Sequence, residues 1–193
     1  TVSLVGVILA GGAWARSADE MELSSEPHFF TRCHIDASSR AAALLEAARQ
    51  REQKGLYLEA LAIYQMVVDD FPDTMYRVSP YGVFVPAAQY GQRRVLGFPR
   101  TQLGRYRTQH DARARDAFLW ARSRHSLLGL SEVADLMLAT SYGGRAIIEL
   151  GDASLDNGHY LAALERYQTI SEFFPPPDLR TSELELKMAY CRK

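Results

Sequence analysis

The motifs that usually carry chemistry are missing from this sequence. It has no glycine-rich phosphate loop, no paired-histidine zinc motif and no nucleophile elbow, so no motif points to nucleotide, metalloprotease or hydrolase chemistry. The formal net charge is only -1, which gives no global attraction to nucleic acid or to an acidic surface. Just two cysteines are present, leaving Cys33 with Cys191 as the one possible intrachain disulfide. Closing so long a loop would contribute about 4 to 5 kcal/mol in the chain-entropy model. Against the bond, Cys33 falls in a polar linker and Cys191 on an apolar helix face, where a free thiol packs well. His28, Cys33, His34 and Asp36 are the nearest approach to a metal constellation, but their spacing matches no usual zinc pattern. The expectation is a protein with no catalytic residue, no cofactor and no metal.

What is present suits one domain or one short repeat array: 193 residues, 47% apolar and 23% charged, enough to build a core. Thr1 to Ala15 is almost wholly apolar or small and is followed abruptly by Arg16, Ser17, Asp19 and Glu20. Residues 1-15 therefore read as a signal peptide, with Val2 to Ala10 as the h-region and Ala13-Trp14-Ala15 as the cleavage pattern. The run is shorter than the roughly 20 apolar residues of a membrane span, so no transmembrane span is expected in the mature chain. The basic n-region is missing, which leaves a buried N-terminal helix or strand as the other possibility. A start at threonine is explained if the true beginning has been lost. Residues 16-39 are polar and irregular and read as a flexible linker. An export signal places the mature protein in the periplasm or cell envelope.

From about residue 40 to 193 the pattern is helical, with apolar residues recurring at steps of three and four. Its main feature is an internal repeat: residues 55-72 laid on residues 158-175 give nine identities in eighteen positions, where unrelated segments share about one. Gly55 and Gly158 fall where one helix stops and the chain turns, a place for positive φ. Tyr57, Ala60, Tyr64, Val67 and Phe71, like Tyr160, Ala163, Tyr167, Ile170 and Phe174, then lie on one helical face. The alanines admit a close antiparallel neighbour, and Pro72 and Pro175 end the second helix.

These residues resemble the tetratricopeptide repeat, a 34-residue pair of helices. Leu150-Gly151 matches the small pair of its first helix in the second copy, while Ala47-Ala48 stands in for it in the first, with Leu44 in place of the tryptophan. The resemblance implies an all-α, right-handed solenoid of antiparallel helix pairs. The copies lie 103 residues apart, so two degenerate units are expected between them. Residues 76-86 predict a β-hairpin or extended insertion. Helices are expected over Ala87 to Leu96 and Thr101 to Thr108, then after Asp111 as an N-cap, and over Leu130 to Ala139.

A narrower likeness follows. Tyr81-Gly82-Val83-Phe84-Val85-Pro86, Leu103-Gly104-Arg105-Tyr106-Arg107, His110 to Ala114, and Leu150-Gly151-Asp152 with Gly158, Tyr160 and Ala163 are similar to the helical N-terminal region of exported bacterial proteins. Those proteins carry a pyrroloquinoline-quinone-binding-like β-propeller downstream. No blade pattern recurs in this chain, so no quinone chemistry transfers to any of its residues. Leu184, Met188 and Cys191 begin a further first helix with no polar cap behind it, which reads as a truncated array.

The functional expectation is a non-catalytic scaffold that holds a protein or peptide segment, with no nucleic acid as partner. The alternative is a docking region for a downstream β-propeller of the same gene product. Gln50, Arg51 and Lys54 of the first copy and Glu149 and Ser154 of the second are the expected groove residues. Between Arg93 and Arg124 stand nine arginines against Asp111 and Asp116 alone. Arg93, Arg94 and Arg105 are candidates for gripping acidic partners; the same arginines are also explained as partners of the acidic first copy or as a solvated helix surface.

Overall fold

The computed structural model describes residues 37–79, 82–174 and 181–192. They form eight helices and one two-stranded sheet. The first helix, α1 (Ser39–Gln53), starts where the Ser38 hydroxyl accepts the Ala41 amide at 3.3 Å, one of the four donors a helix start leaves open. It folds back onto α2 (Tyr57–Asp70). Then come β1 (Met75–Arg77) and β2 (Phe84–Pro86), antiparallel with Tyr76 opposite Val85, so the insertion expected at 76-86 is a short hairpin. The chain continues through α3 (Ala87–Leu96), α4 (Arg100–Ser123), α5 (Leu127–Leu136), α6 (Gly143–Asp156), α7 (Tyr160–Phe173) and α8 (Thr181–Cys191).

The two matched stretches make the same turn. Gly55 has φ +74° and Gly158 φ +76°, the left-handed region that glycine enters without a Cβ penalty. Gly55 N–H donates to the Glu52 carbonyl at 2.9 Å and Gly158 N–H to that of Leu155 at 2.9 Å. The next amides, Leu56 and His159, reach Arg51 O at 2.9 Å and Ser154 O at 2.8 Å. Tyr64 and Tyr167 are fully buried at the same point of each hairpin, above Ala60 and Ala163, which are also fully buried. Pro72 follows the Phe71 cap of α2, as a residue unable to continue a helix should; Pro175 lies outside the described residues.

A third hairpin, α4 to α5, repeats that turn without its glycine. His125 takes φ +50°, its amide donates to Arg122 O at 3.1 Å, and Ser126 N–H donates to Ala121 O at 2.9 Å. Ser126 then caps α5 through its hydroxyl, which accepts Gly129 N–H at 3.1 Å. Because this cap is a serine at 126, α5 begins three residues before the expected Leu130.

The expected break in α4 is absent. Residues 100–123 are one helix, and Asp111 is an interior position, not an N-cap. Its carboxylate serves a different part of the chain, accepting Ser141 N–H at 2.9 Å and the Ser141 hydroxyl at 2.7 Å. Nor do α3 and α4 repeat the hairpin motif: α3 lies against α2 and α5, and α4 against α5 and α2. Two apolar clusters result, one around Leu45, Tyr64, Val67, Val95 and Phe98, the other around Phe118, Val133, Leu150, Tyr167 and Ile170.

Candidate interaction groove

Where α2 and α4 lie side by side they run in the same sense and are pinned in two places. The Tyr106 hydroxyl donates to Gln65 Oε1 at 2.9 Å, and further along Arg113 stands 3.7 Å from Asp69. Tyr106 is almost wholly buried, and its hydroxyl also accepts Gln92 Nε2 at 2.9 Å; Gln92 Oε1 in turn accepts Ala139 N–H at 2.8 Å. Each buried polar atom of this relay is thereby partnered, the condition on which a polar network stabilises a core. Burial, with lesser help from Asp69 and Asp111, pushes the Tyr106 hydroxyl up to about 12 against the opposing bond from Gln92.

Beside these pins the helices leave an open groove of about 890 Å³. Leu58, Leu61, Ala62 and Met66 of α2 make its apolar wall, and Arg105, Thr108, Gln109 and His110 of α4 the polar one. Asp69 and Asp70 stand at its end. Leu58 and Met66 are 56% and 42% exposed, so the α2 wall offers apolar surface to an occupant of the groove. The His110 ring stacks on Tyr106 with centroids 4.4 Å apart, and burial holds its pKa below the usual histidine range despite Asp69 and Asp111. The α4 wall thus presents a neutral imidazole beside the Arg105 cation at neutral pH.

A second groove, of about 790 Å³, opens between the α4–α5 turn and α6, with Leu119, Leu127 and Leu130 facing Glu149, Asp152 and Asp156.

The expected site residues are scattered by the fold. Arg105 lines the α2–α4 groove and Glu149 the second one, where it pairs with Arg122 at 3.4 Å. Gln50, Arg51 and Lys54 line neither groove; Gln50 lies 3.4 Å from Glu46, Arg51 pairs with Glu59 at 2.7 Å, and Lys54 caps α1. The Ser154 hydroxyl donates to Leu150 O of its own helix at 2.8 Å. Arg93 lies over the Phe173 ring, 5.3 Å from its centroid. Arg94 binds the Glu52 carboxylate, with Nε 3.2 Å from Oε2, and so joins α3 to α1. Arg113 and Arg94 therefore both meet acids of the first hairpin, while Arg105 has no acidic partner among the described residues.

The two buried tyrosines use this chemistry twice. Tyr64 donates to Glu52 at 3.0 Å and Tyr167 to Asp152 at 2.6 Å, and each carboxylate also binds a cation from a following helix, Arg94 of α3 or Lys187 of α8 at 2.8 Å. Burial first, then the adjacent carboxylate, holds both phenols well above the ordinary tyrosine range. Burial works against the charge on Arg94 and Lys187, but their carboxylates outweigh it and raise both.

Leu58, Met66 and Gln65 do not stand out in the sequence, and Tyr106 and His110 stand out only as motif residues, not as groove candidates. A signal for the first two exists: Leu58, Ala62 and Met66 step by four, a second apolar stripe beside the core-facing one on α2.

Among the described residues no cluster of histidine, cysteine and acidic side chains could hold a metal ion, and no helix is long and apolar enough to cross a membrane. The set His28, Cys33, His34 and Asp36, the segment 1-15 and nearly all of 16-39 lie outside those residues. Cys191 is a buried free thiol; Cys33 is not among the described residues. No family model, curated protein or solved structure matches this chain.

Proposed function

We propose that this chain is a non-catalytic interaction module of the bacterial cell envelope, a tetratricopeptide-like array whose α2–α4 groove holds a segment of a partner protein. The observation that carries the proposal is the exposed apolar wall of Leu58 and Met66 beside a pinned, partly polar α4 wall. An amphipathic helix laid into such a groove buries its apolar stripe on α2 and meets hydrogen-bonding groups on α4. The site lies between α2 and α4, the second helix of one pair and its neighbour, instead of along the first helices that carry Gln50, Arg51 and Lys54. The matching turns at Gly55, His125 and Gly158 support the repeat relationship, and the apolar Thr1 to Ala15 supports export.

The test is affinity capture from an envelope fraction with the wild-type chain and with Leu58→Asp/Met66→Asp, followed by titration of the purified partner. A partner lost from the variant and bound about tenfold or more weakly in titration agrees with burial of two large side chains. Equal capture by both chains refutes the groove.

The other reading, a docking region for a β-propeller of the same gene product, is favoured by one observation. Tyr160, Leu161, Leu186 and Tyr190 form an exposed apolar surface on α7 and α8, with the two tyrosine rings 6.1 Å apart. Propeller blades encoded in frame beyond Lys193 would support it, and a stop codon there would remove it.

A further inference from the structure

The α2–α4 groove holds two charges that the fold leaves unanswered, one on each wall. Arg105 is exposed on α4, and the residues one turn away from it on that helix, Thr101, Gln102, Thr108 and Gln109, are all neutral. The nearest acid on α4, Asp111, is bonded to Ser141. On the other wall α2 ends in Asp69 and Asp70, and its last turn has no basic residue to offset the negative end of the helix dipole. Asp69 is already held, by Gln65 Nε2 at 3.1 Å and by Arg113 at 3.7 Å. Asp70, exposed at the end of the groove, has no cationic partner among the described residues, and Arg105 does not pair with it.

We propose that this groove selects a partner helix whose apolar stripe is bordered by an acid on one side and a base on the other, the acid meeting Arg105 and the base meeting Asp70. The inference rests on the reading of the α2–α4 groove as a binding site and adds which kind of helix it takes. A carboxylate at Arg105 can accept both prongs of the guanidinium fork. A cation at Asp70 meets that carboxylate and the negative end of α2 together. Nucleic acid, or a wholly acidic helix, brings like charge to Asp69 and Asp70, and a wholly basic helix brings it to Arg105. Each therefore loses at one wall what it gains at the other, and only mixed borders satisfy both. His110, which also lines the α4 wall, is neutral at neutral pH and leaves that balance unchanged.

Three fluorescein-labelled helical peptides of about 18 residues test this, all with the same leucine stripe. One carries glutamate along one border and lysine along the other, one carries glutamate on both and one lysine on both. Their binding to the full chain is followed by fluorescence anisotropy. At low salt the mixed peptide binds about fivefold more tightly than either of the others, and about 0.5 M salt brings the three together. Arg105→Glu makes the lysine peptide the tightest, and Asp70→Lys the glutamate peptide. Circular dichroism and thermal unfolding stay unchanged in both variants, since both side chains are exposed. Leu58→Asp/Met66→Asp weakens all three peptides. Equal affinities for the three, or an order that neither charge reversal alters, overturn the charge assignment and leave the groove standing. Peptides that bind the Leu58→Asp/Met66→Asp chain as they bind its parent overturn the groove itself, and no binding by any of the three overturns both.

Discussion

Gly151 lies directly against the ring of Tyr167: a Cβ at that position would stand 2.6 Å from the ring's Cε1 atom and 3.1 Å from Cδ1. The corresponding residue of the first copy is Ala48, buried in the same apolar cluster as Tyr64, so only the second hairpin has no methyl group at this position. Gly151→Ala would force the fully buried Tyr167 off its hydrogen bond to Asp152. The expected loss is about 2 to 3 kcal/mol, overpacking exceeding the helix-propensity gain of alanine. Urea unfolding of the variant measures it; a stabilised protein would refute the close packing.

His125 stands where Gly55 and Gly158 stand in the other hairpins, with φ +50° and a Cβ that the left-handed region penalises. His125→Gly should stabilise the chain by about 0.5 to 1 kcal/mol, the relief of strain exceeding the extra freedom of the unfolded chain. Thermal unfolding midpoints of the variant and parent decide it.

Alkali should unfold this protein through its buried phenols. The Tyr106 hydroxyl, raised from 10 to about 12, is protonated in the folded state over a range where the unfolded chain has ionised. Its contribution is complete below pH 10 and is lost as pH rises through 12, about 3 kcal/mol for a shift of that size. Tyr64 and Tyr167 act in the same direction. Tyr106→Phe should lower stability at pH 8 by about 1 to 3 kcal/mol by stranding Gln65 and Gln92, and should flatten the alkaline decline. Denaturant curves at several pH values between neutral and strongly alkaline test both effects.

Asp135 of α5 accepts Gln89 Nε2 at 2.9 Å and the Ser131 hydroxyl at 3.2 Å, yet burial keeps its carboxyl above the usual 3.8 against those bonds and against Arg166 and Arg93. A raised folded pKa favours the fold while the group is protonated in both states, and that advantage disappears as pH rises through the folded value. Asp135→Asn, which cannot ionise and keeps an acceptor for Gln89, should therefore melt higher than the parent at pH 7. The difference should vanish under acid conditions below 3.8. Melting curves at the two pH values check the sign.

The two outer hairpins were legible because their information is local: a glycine at the turn, an aromatic and a small residue on one face, and a terminating proline. The α4–α5 hairpin was not, since its turn rests on a strained histidine and its cap on a lone serine. Helix α4 was divided at Thr108 to Asp111 because its middle contains residues of weak helix propensity. What holds it straight is remote in sequence: Tyr106 buried against Gln65, and Asp111 bonded to Ser141. The arginine cluster was visible as composition, but the division between Arg94, bound to Glu52, and Arg105, left at the groove, depends on how α3 and α4 are placed. The exposure of Leu58 and Met66 was not legible, because it depends on where α4 lies relative to α2.

The bond between Asp111 and Ser141 has a mechanical result. It fastens the midpoint of a 24-residue rod to the corner that leads into α6. Prying α4 away from α2 therefore means either snapping two short tethers or dragging the corner along.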